Sequence, residues 1–141
     1  MQVEQAGRGR RFWIGWAMSG LVIAFMLMDA TLKLLALPVV LESGAPLGFA
    51  GAAIARELGL LLLICTVLYT VPRTAVLGAI LLTGFLGGAV ATHVRVGSPL
   101  FTHVLFGAYL GVLLWGGLYL RETRLRALVP LRSSSSRSAA S

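Results

Sequence analysis

The sequence predicts an all-α protein, an integral membrane four-helix bundle. Of its 141 residues, 57% are hydrophobic and 12% are charged, and that charged share is about half the share found in soluble domains. The mean hydropathy is +0.88, and the apolar residues form four runs of roughly 20 residues, the length that a membrane-crossing helix needs. Such a chain has too little polar surface to cover a core in water, so lipid is the expected solvent. Four spans leave no room for a second, soluble domain.

The first predicted span covers residues 12–37 and follows a polar N-terminal segment, residues 1–11. Arg8, Arg10 and Arg11 precede the apolar run, as they would in a signal peptide. The run is too long for the apolar region of a signal peptide, however, and no cleavage site of small residues follows it. We therefore predict an uncleaved membrane helix.

Two opposite charges stand in the second half of this span. Asp29 and Lys33 are four residues apart, so they share a helix face and can form an ion pair. Pairing offsets part of the cost of burial, which is about 2.5–3.5 kcal/mol for each charge alone at a bilayer centre. Pro38 then ends the helix, and residues 39–47 have the Gly, Ser and Pro content of a loop.

The second predicted span, residues 48–71, carries an Arg–Glu step and the single cysteine. Arg56 and Glu57 are adjacent, so their side chains point about 100° apart around the helix. At least one of them should therefore find a partner on another helix. Cys65 has no second cysteine to pair with, which excludes a disulfide framework and a CxxC redox pair.

The third and fourth predicted spans, residues 74–94 and 101–120, each contain a GxxxG pair. The pairs are Gly84 with Gly88 and Gly107 with Gly111. Small residues at this spacing let a neighbouring helix approach closely. We favour packing within the bundle as their role, and association with a second copy or a partner membrane protein is the alternative.

The arginines predict the orientation of the bundle. With four spans, both termini and the turn before the third span lie on one side of the membrane. That side holds nine arginines: Arg8, Arg10, Arg11, Arg73, Arg121, Arg124, Arg126, Arg132 and Arg137. Because basic residues concentrate on the cytoplasmic side, we predict that both termini are cytoplasmic. Residues 122–141 then form a basic, Ser-rich cytoplasmic tail, and its end, residues 133–141, is expected to be disordered.

The net charge of +7 suits anionic lipid head groups. A nucleic-acid partner is not predicted, because no basic face alternates with aromatic residues on which bases could stack.

The same topology brings six ionisable side chains to the outer half of the membrane. They are Asp29, Lys33, Arg56, Glu57, His93 and His103. Ionisable residues inside a membrane suggest a functional site, and histidines near carboxylates can carry protons at the head group of a quinone. Two interpretations stay open at this point. One is a polar ligand pocket that faces outwards, and the other is a buried ion-pair network that only fixes the register of the helices.

Other kinds of chemistry have less support. Histidines and carboxylates are suitable ligands for a transition metal, but Lys33 and Arg56 would repel a cation, and no HxxxH or CxxC spacing occurs. No GxSxG elbow marks a nucleophilic serine. We therefore predict neither a metal site nor catalytic residues, and the sequence identifies no cofactor.

Two long runs resemble the DoxX-like family of small four-helix membrane proteins. They are PRTAVLGAILLTGFLGGAVATHVRVGSPL, residues 72–100, and HVLFGAYLGVLLWGGLYLR, residues 103–121. The resemblance extends over roughly residues 15–130 and implies a multi-pass protein of the bacterial inner membrane. The residues that match the polar pattern of the family are Asp29, Lys33, Glu57, His93 and His103. The resemblance also implies a link to redox chemistry, because the wider group includes subunits associated with thiosulfate:quinone oxidation and with oxidative-stress complexes.

Three functional hypotheses follow. The first is a redox-associated accessory protein that binds a quinone-like or other small lipophilic ligand in the outer pocket, together with a partner enzyme. The second is a non-enzymatic membrane scaffold or assembly subunit whose buried charges are structural. The third, a small-molecule permease, is disfavoured because one four-helix bundle is small for alternating access and the chain shows no inverted repeat.

Overall fold

The computed structural model describes residues 2–128, and over this range the chain forms helices and no strand. The helices are α1 (Gln2–Leu34), α2 (Pro38–Gly44), α3 (Ala52–Thr70), α4 (Ala75–Arg95), α5 (Leu105–Arg121) and α6 (Thr123–Leu128), with a 3₁₀ turn at Ala45–Leu47 and a π-helical turn at Leu100–Val104. The predicted all-α class is confirmed for this part of the chain. Residues 129–141, which include the predicted disordered end of the tail, Arg132 and Arg137, lie outside the described residues.

Four stretches are long and apolar enough to cross a membrane, as predicted. They are Gly7–Leu34, Ala52–Thr70, Ala75–Arg95 and Leu100–Arg121. α1 packs against α3 and α5, and α4 packs against the same two helices, so each long helix has two long neighbours. Apolar side chains fill the interior between them, and the fully buried ones include Val22, Met26, Leu62, Leu82 and Leu114.

The end of α1 differs from its predicted position. The helix ends at Leu34 because the chain enters a left-handed turn at Ala36, where φ is 49°. The Leu37 N–H donates to the Leu32 carbonyl at 3.3 Å, and the Ala36 N–H donates to the Lys33 carbonyl at 3.0 Å. These are the two hydrogen bonds of a Schellman motif. No pattern in the sequence predicts this turn, because glycine, not alanine, usually occupies the left-handed position.

The prediction of a loop at residues 39–47 was wrong. Pro38 begins α2, because the fixed φ and missing N–H of proline suit the first position of a helix. Pro46 is the second residue of the 3₁₀ turn. The connection between α1 and α3 is therefore a short helical segment that carries defined side-chain positions.

The interpretation of the GxxxG pairs as packing faces within the bundle was wrong for three of the four glycines. A Cβ added at Gly84, Gly88 or Gly111 would meet nothing within 4 Å. Gly107 does pack closely, since a Cβ there would lie 2.7 Å from Val90 Cγ2. The other close helix contacts lie at Gly15, Gly59, Gly78, Gly116 and Gly117. A spacing of four residues places two glycines on one face, but it does not say whether a neighbour lies against that face.

Candidate functional site

A cavity of about 940 Å³ lies at the end of the long helices away from the termini. Its deeper wall is apolar and is formed by Phe25, Met26, Phe85, Leu86, Phe106 and Leu110. Residues 38–49 form a roof over the cavity, with side chains that include Val40, Pro46, Leu47 and Phe49. The polar side chains of the wall lie nearer the helix ends and include Asp29, Lys33, His93, Ser98 and His103. The cavity is therefore apolar in its depth and polar towards the roof.

His93 is held by the turn that ends α4. Gly97 adopts a left-handed conformation with φ of 69°, which brings the next residue back over the last turn of the helix. The Ser98 N–H donates to the His93 carbonyl at 3.0 Å, and Ser98 Oγ lies 3.0 Å from His93 Nδ1. Backbone and side chain of one serine thus fix both the last turn and the orientation of the imidazole ring.

His103 lies on the π-helical turn that precedes α5. The Pro99 carbonyl accepts from the His103 N–H at 3.1 Å and from the Val104 N–H at 3.4 Å, so the wide turn begins at the proline. Thr102 Oγ1 lies 2.8 Å from His103 Nδ1. Single π-helical turns are frequent at functional sites.

The two imidazole rings form a pair in the cavity wall. Their centroids are 5.4 Å apart and their planes are tilted by 56°. Because the Nδ1 atom of each ring contacts a hydroxyl group, the Nε2 atoms are the ones left for a ligand. Each hydroxyl contact couples Nδ1 to Nε2: a hydroxyl that donates to Nδ1 leaves an N–H at Nε2, whereas one that accepts from Nδ1 leaves a lone pair at Nε2.

The predicted ion pair on α1 is confirmed. Lys33 Nζ contacts Asp29 Oδ1 one helical turn away, and both side chains are half-buried in the cavity wall. The pair adds no net charge to the cavity. Its oxygen and ammonium groups nevertheless provide an acceptor and a donor near the histidines.

Arg56 and Glu57 are not part of this wall. Both lie on the exposed side of α3, whose buried residues in the same region are Ala55 and Gly59. Neither contributes to the lining of the cavity. The structure therefore brings together four of the six predicted residues, Asp29, Lys33, His93 and His103, and places the other two on a different face.

The cavity does not form a metal centre from the residues described. Among residues 7–128, no three His, Cys, Asp or Glu side chains converge as a set of metal ligands. Two imidazoles with a self-paired carboxylate are better suited to hydrogen bonding than to holding a cation.

A second polar centre, missed in the sequence, lies at the end of the helices that carries the termini. Arg121 is only 7% exposed, and its Nη2 donates to the Tyr69 carbonyl at 2.9 Å. The guanidinium carbon lies 4.6 Å from the centroid of the Trp16 ring and 4.8 Å from that of the Tyr69 ring. In the sequence Arg121 is one of the nine arginines that predict the orientation, and no pattern shows that two aromatic rings would cover it.

The Tyr69 hydroxyl extends this centre into the core. It donates to the Leu114 carbonyl at 2.8 Å, and Ser19 Oγ lies 3.0 Å from it. All three groups are fully buried. Because Ser19 is on α1, Tyr69 on α3 and Leu114 on α5, one hydroxyl ties three helices together.

The family described as the DoxX-like family has a model that matches residues 17–117. The matched segment includes most of all four long helices and every polar residue of the cavity wall. No curated protein and no solved structure matches the chain.

Proposed function

This chain belongs to the DoxX-like family, and we propose that it is a multi-pass protein of the bacterial inner membrane whose four long helices form a bundle with both termini in the cytoplasm. Exposed apolar side chains on all four helices support contact with lipid; they include Leu21, Leu60, Ile80 and Val112, each at least half exposed. The end with the termini carries most of the arginines, which supports the cytoplasmic assignment.

The outer cavity binds, in this proposal, a small lipophilic molecule with a polar head group, of the quinone class. The observation that carries the proposal is the shape of the cavity together with its polarity. Its volume of about 940 Å³ is within the range of small-molecule sites, about 300–1,000 Å³, which are mostly apolar with a few placed polar groups. A head group at the histidine pair would direct an apolar tail towards Phe25 and Phe106, whose rings lie 5.1 Å apart.

The histidine pair would serve the head group of such a ligand. Imidazole can donate or accept a hydrogen bond and can exchange a proton near neutral pH. Conversion of a quinone to a quinol consumes two electrons and two protons. The chain would hold the head group and pass on protons, while a partner redox enzyme would supply the electrons, which makes it an accessory protein.

A binding measurement with a short-chain ubiquinone tests this proposal. The full-length protein, purified in detergent, should bind the ubiquinone, and His103→Ala should weaken binding by about tenfold, the equivalent of one good hydrogen bond. His93→Ala should do the same. Glu57→Gln is the control, because Glu57 lies outside the cavity wall. Equal binding by the wild type and both histidine variants would rule out a role for the pair.

The alternative is a non-enzymatic scaffold or assembly subunit. The observation that favours it is that Asp29 and Lys33 satisfy each other within α1, so these charges need no ligand. In that case no ubiquinone binds, and a partner membrane protein is lost when an exposed glycine face is blocked, for instance by Gly84→Leu. A second copy of the chain on the Gly84/Gly88 face would be seen as a change of oligomeric state in the same variant, and one on the Gly107/Gly111 face as a change in Gly111→Leu.

A further inference from the structure

Two arginines at the corner between α5 and α6 have buried N–H groups without an acceptor among the described side chains. Arg121 is more than nine-tenths buried, and its Nε, like the Nε of Arg126, makes no hydrogen bond. Buried donors without an acceptor are rare and costly, so two of them five residues apart require an explanation. We propose that this corner binds a phosphate group, carried by an anionic phospholipid or free in solution.

The charges at the corner favour an anion. Within residues 7–128, the ion pair of Asp29 with Lys33 is the one salt bridge, so no described carboxylate neutralises Arg121 or Arg126. Glu122 separates α5 from α6, yet it lies beyond ion-pair distance of both. The corner thus has an excess of positive charge that a phosphate would balance.

The geometry of Arg121 favours an anion with two oxygens over a single polar atom. The rings of Trp16 and Tyr69 cover the guanidinium group, and one of its donors is used by the Tyr69 carbonyl. Its other donors lie in the plane of the group. A planar guanidinium edge matches two phosphate oxygens, whereas a lysine ammonium does not.

The position of the corner suits a lipid head group. It follows directly on the apolar stretch Leu100–Arg121, which is where the phosphates of anionic lipids lie relative to a membrane helix. The site is also separate from the outer cavity. Trp16, beside Arg121, and Asp29, in the cavity wall, are 13 residues apart on α1, or about 20 Å along the helix.

Lipid binding by the full-length protein tests the proposal. The probes are phosphatidylglycerol, phosphatidylcholine and inorganic phosphate, added to delipidated protein in a neutral detergent and followed by native mass spectrometry and thermal unfolding. Phosphatidylglycerol should bind better than phosphatidylcholine and raise the unfolding temperature. Arg126→Gln should weaken its affinity by about tenfold, as expected for the loss of a charge-assisted hydrogen bond.

Arg124→Gln is the matched control, because it removes the same charge from an exposed position of the same helix. Its effect on affinity should be less than about twofold, since exposed charges contribute little. Arg121→Lys keeps the charge and removes the planar edge, so it should also weaken binding. If that variant does not fold, Arg126→Gln, which leaves the stacked Arg121 in place, decides alone.

The outcomes separate the two sources of phosphate. Stabilisation by phosphatidylglycerol without a response to inorganic phosphate supports a lipid site. Competition between the two supports the same site with phosphate from either source. Equal losses in Arg126→Gln and Arg124→Gln, or no response to either anion, would overturn the proposal and would leave the outer cavity untouched.

Discussion

Buried charge is stabilised in different ways at Arg121 and at the Asp29–Lys33 pair. The ion pair forms within α1, so it needs no other helix. Arg121 instead uses the Tyr69 carbonyl in the last turn of α3, where the helix dipole favours a cation, together with two aromatic rings that attract it. Its environment exists only when α1, α3 and α5 are packed together. The contacts of Arg121 and Tyr69 therefore depend on the packing of three helices, whereas the ion pair does not.

Tyr69→Phe should destabilise the protein. The change removes the hydroxyl that donates to the Leu114 carbonyl and leaves Ser19 Oγ without its partner in the core. We expect a loss of about 1–2 kcal/mol in the free energy of unfolding, since hydrogen bonds between membrane helices are worth about 0.6–1.7 kcal/mol and an orphaned buried hydroxyl adds a cost. Denaturation in mixed detergent micelles measures this difference.

The control for this variant is Tyr109→Phe. Tyr109 is half exposed, so removal of its hydroxyl should leave stability within about 0.5 kcal/mol of the wild type, as for most surface changes. The double variant Ser19→Ala with Tyr69→Phe should recover part of the loss, because it removes the orphaned hydroxyl. A Tyr69→Phe variant as stable as the Tyr109→Phe control would contradict the three-helix tie.

At the scale of elements, α1 and α4 end in the same way with different residues. Each ends in a Schellman motif in which a left-handed residue precedes the closing N–H. That residue is Ala36 after α1 and Gly97 after α4. Only the turn after α4 has a glycine, the residue suited to a left-handed conformation. The motif after α4 also positions Ser98 against His93, so the form of a helix end determines the orientation of a side chain in the cavity.

Exchanging the residues at these two ends should have opposite effects. Gly97→Ala should destabilise by about 1 kcal/mol, because alanine is strained at positive φ. The added Cβ would meet nothing within 4 Å, so the effect is one of backbone conformation alone. Ala36→Gly should be neutral or stabilise by up to about 1 kcal/mol. The substitution relieves backbone strain in the folded state, and the greater conformational entropy of glycine in the unfolded state offsets part of that gain.

Unfolding in mixed micelles measures both variants. Gly97→Ala should in addition weaken binding of the short-chain ubiquinone, because it disturbs the turn that holds His93. Ala36→Gly lies in a turn of the same type and should not alter that binding. Equal effects of the two exchanges on stability would show that the positive φ does not determine the stability of these turns.

At the scale of the whole molecule, the sequence predicts position along the helices better than position around them. The position of a residue within its span, at a rise of about 1.5 Å per residue, gives the depth of its side chain in the membrane. His93 and His103, predicted at the same depth, do lie together. Rotation around each helix axis depends on which neighbours pack against it. For this reason Glu57 lies at the depth of the cavity but faces away from it. For the same reason Gly88 lines the cavity and does not pack against a neighbouring helix.

The open space at Gly88 leads to a prediction that separates the fold from the site. Gly88→Leu places a side chain towards the cavity, where an added Cβ meets no neighbour, so binding of the short-chain ubiquinone should fall by at least about tenfold. Stability should not fall, because leucine favours a helix over glycine by roughly 1 kcal/mol. Gly87→Leu is the control, since Gly87 is equally open but lies outside the cavity lining. A loss of stability confined to Gly88→Leu would restore a packing role for the glycine pair, and unchanged ubiquinone binding in that variant would show that the ligand lies elsewhere.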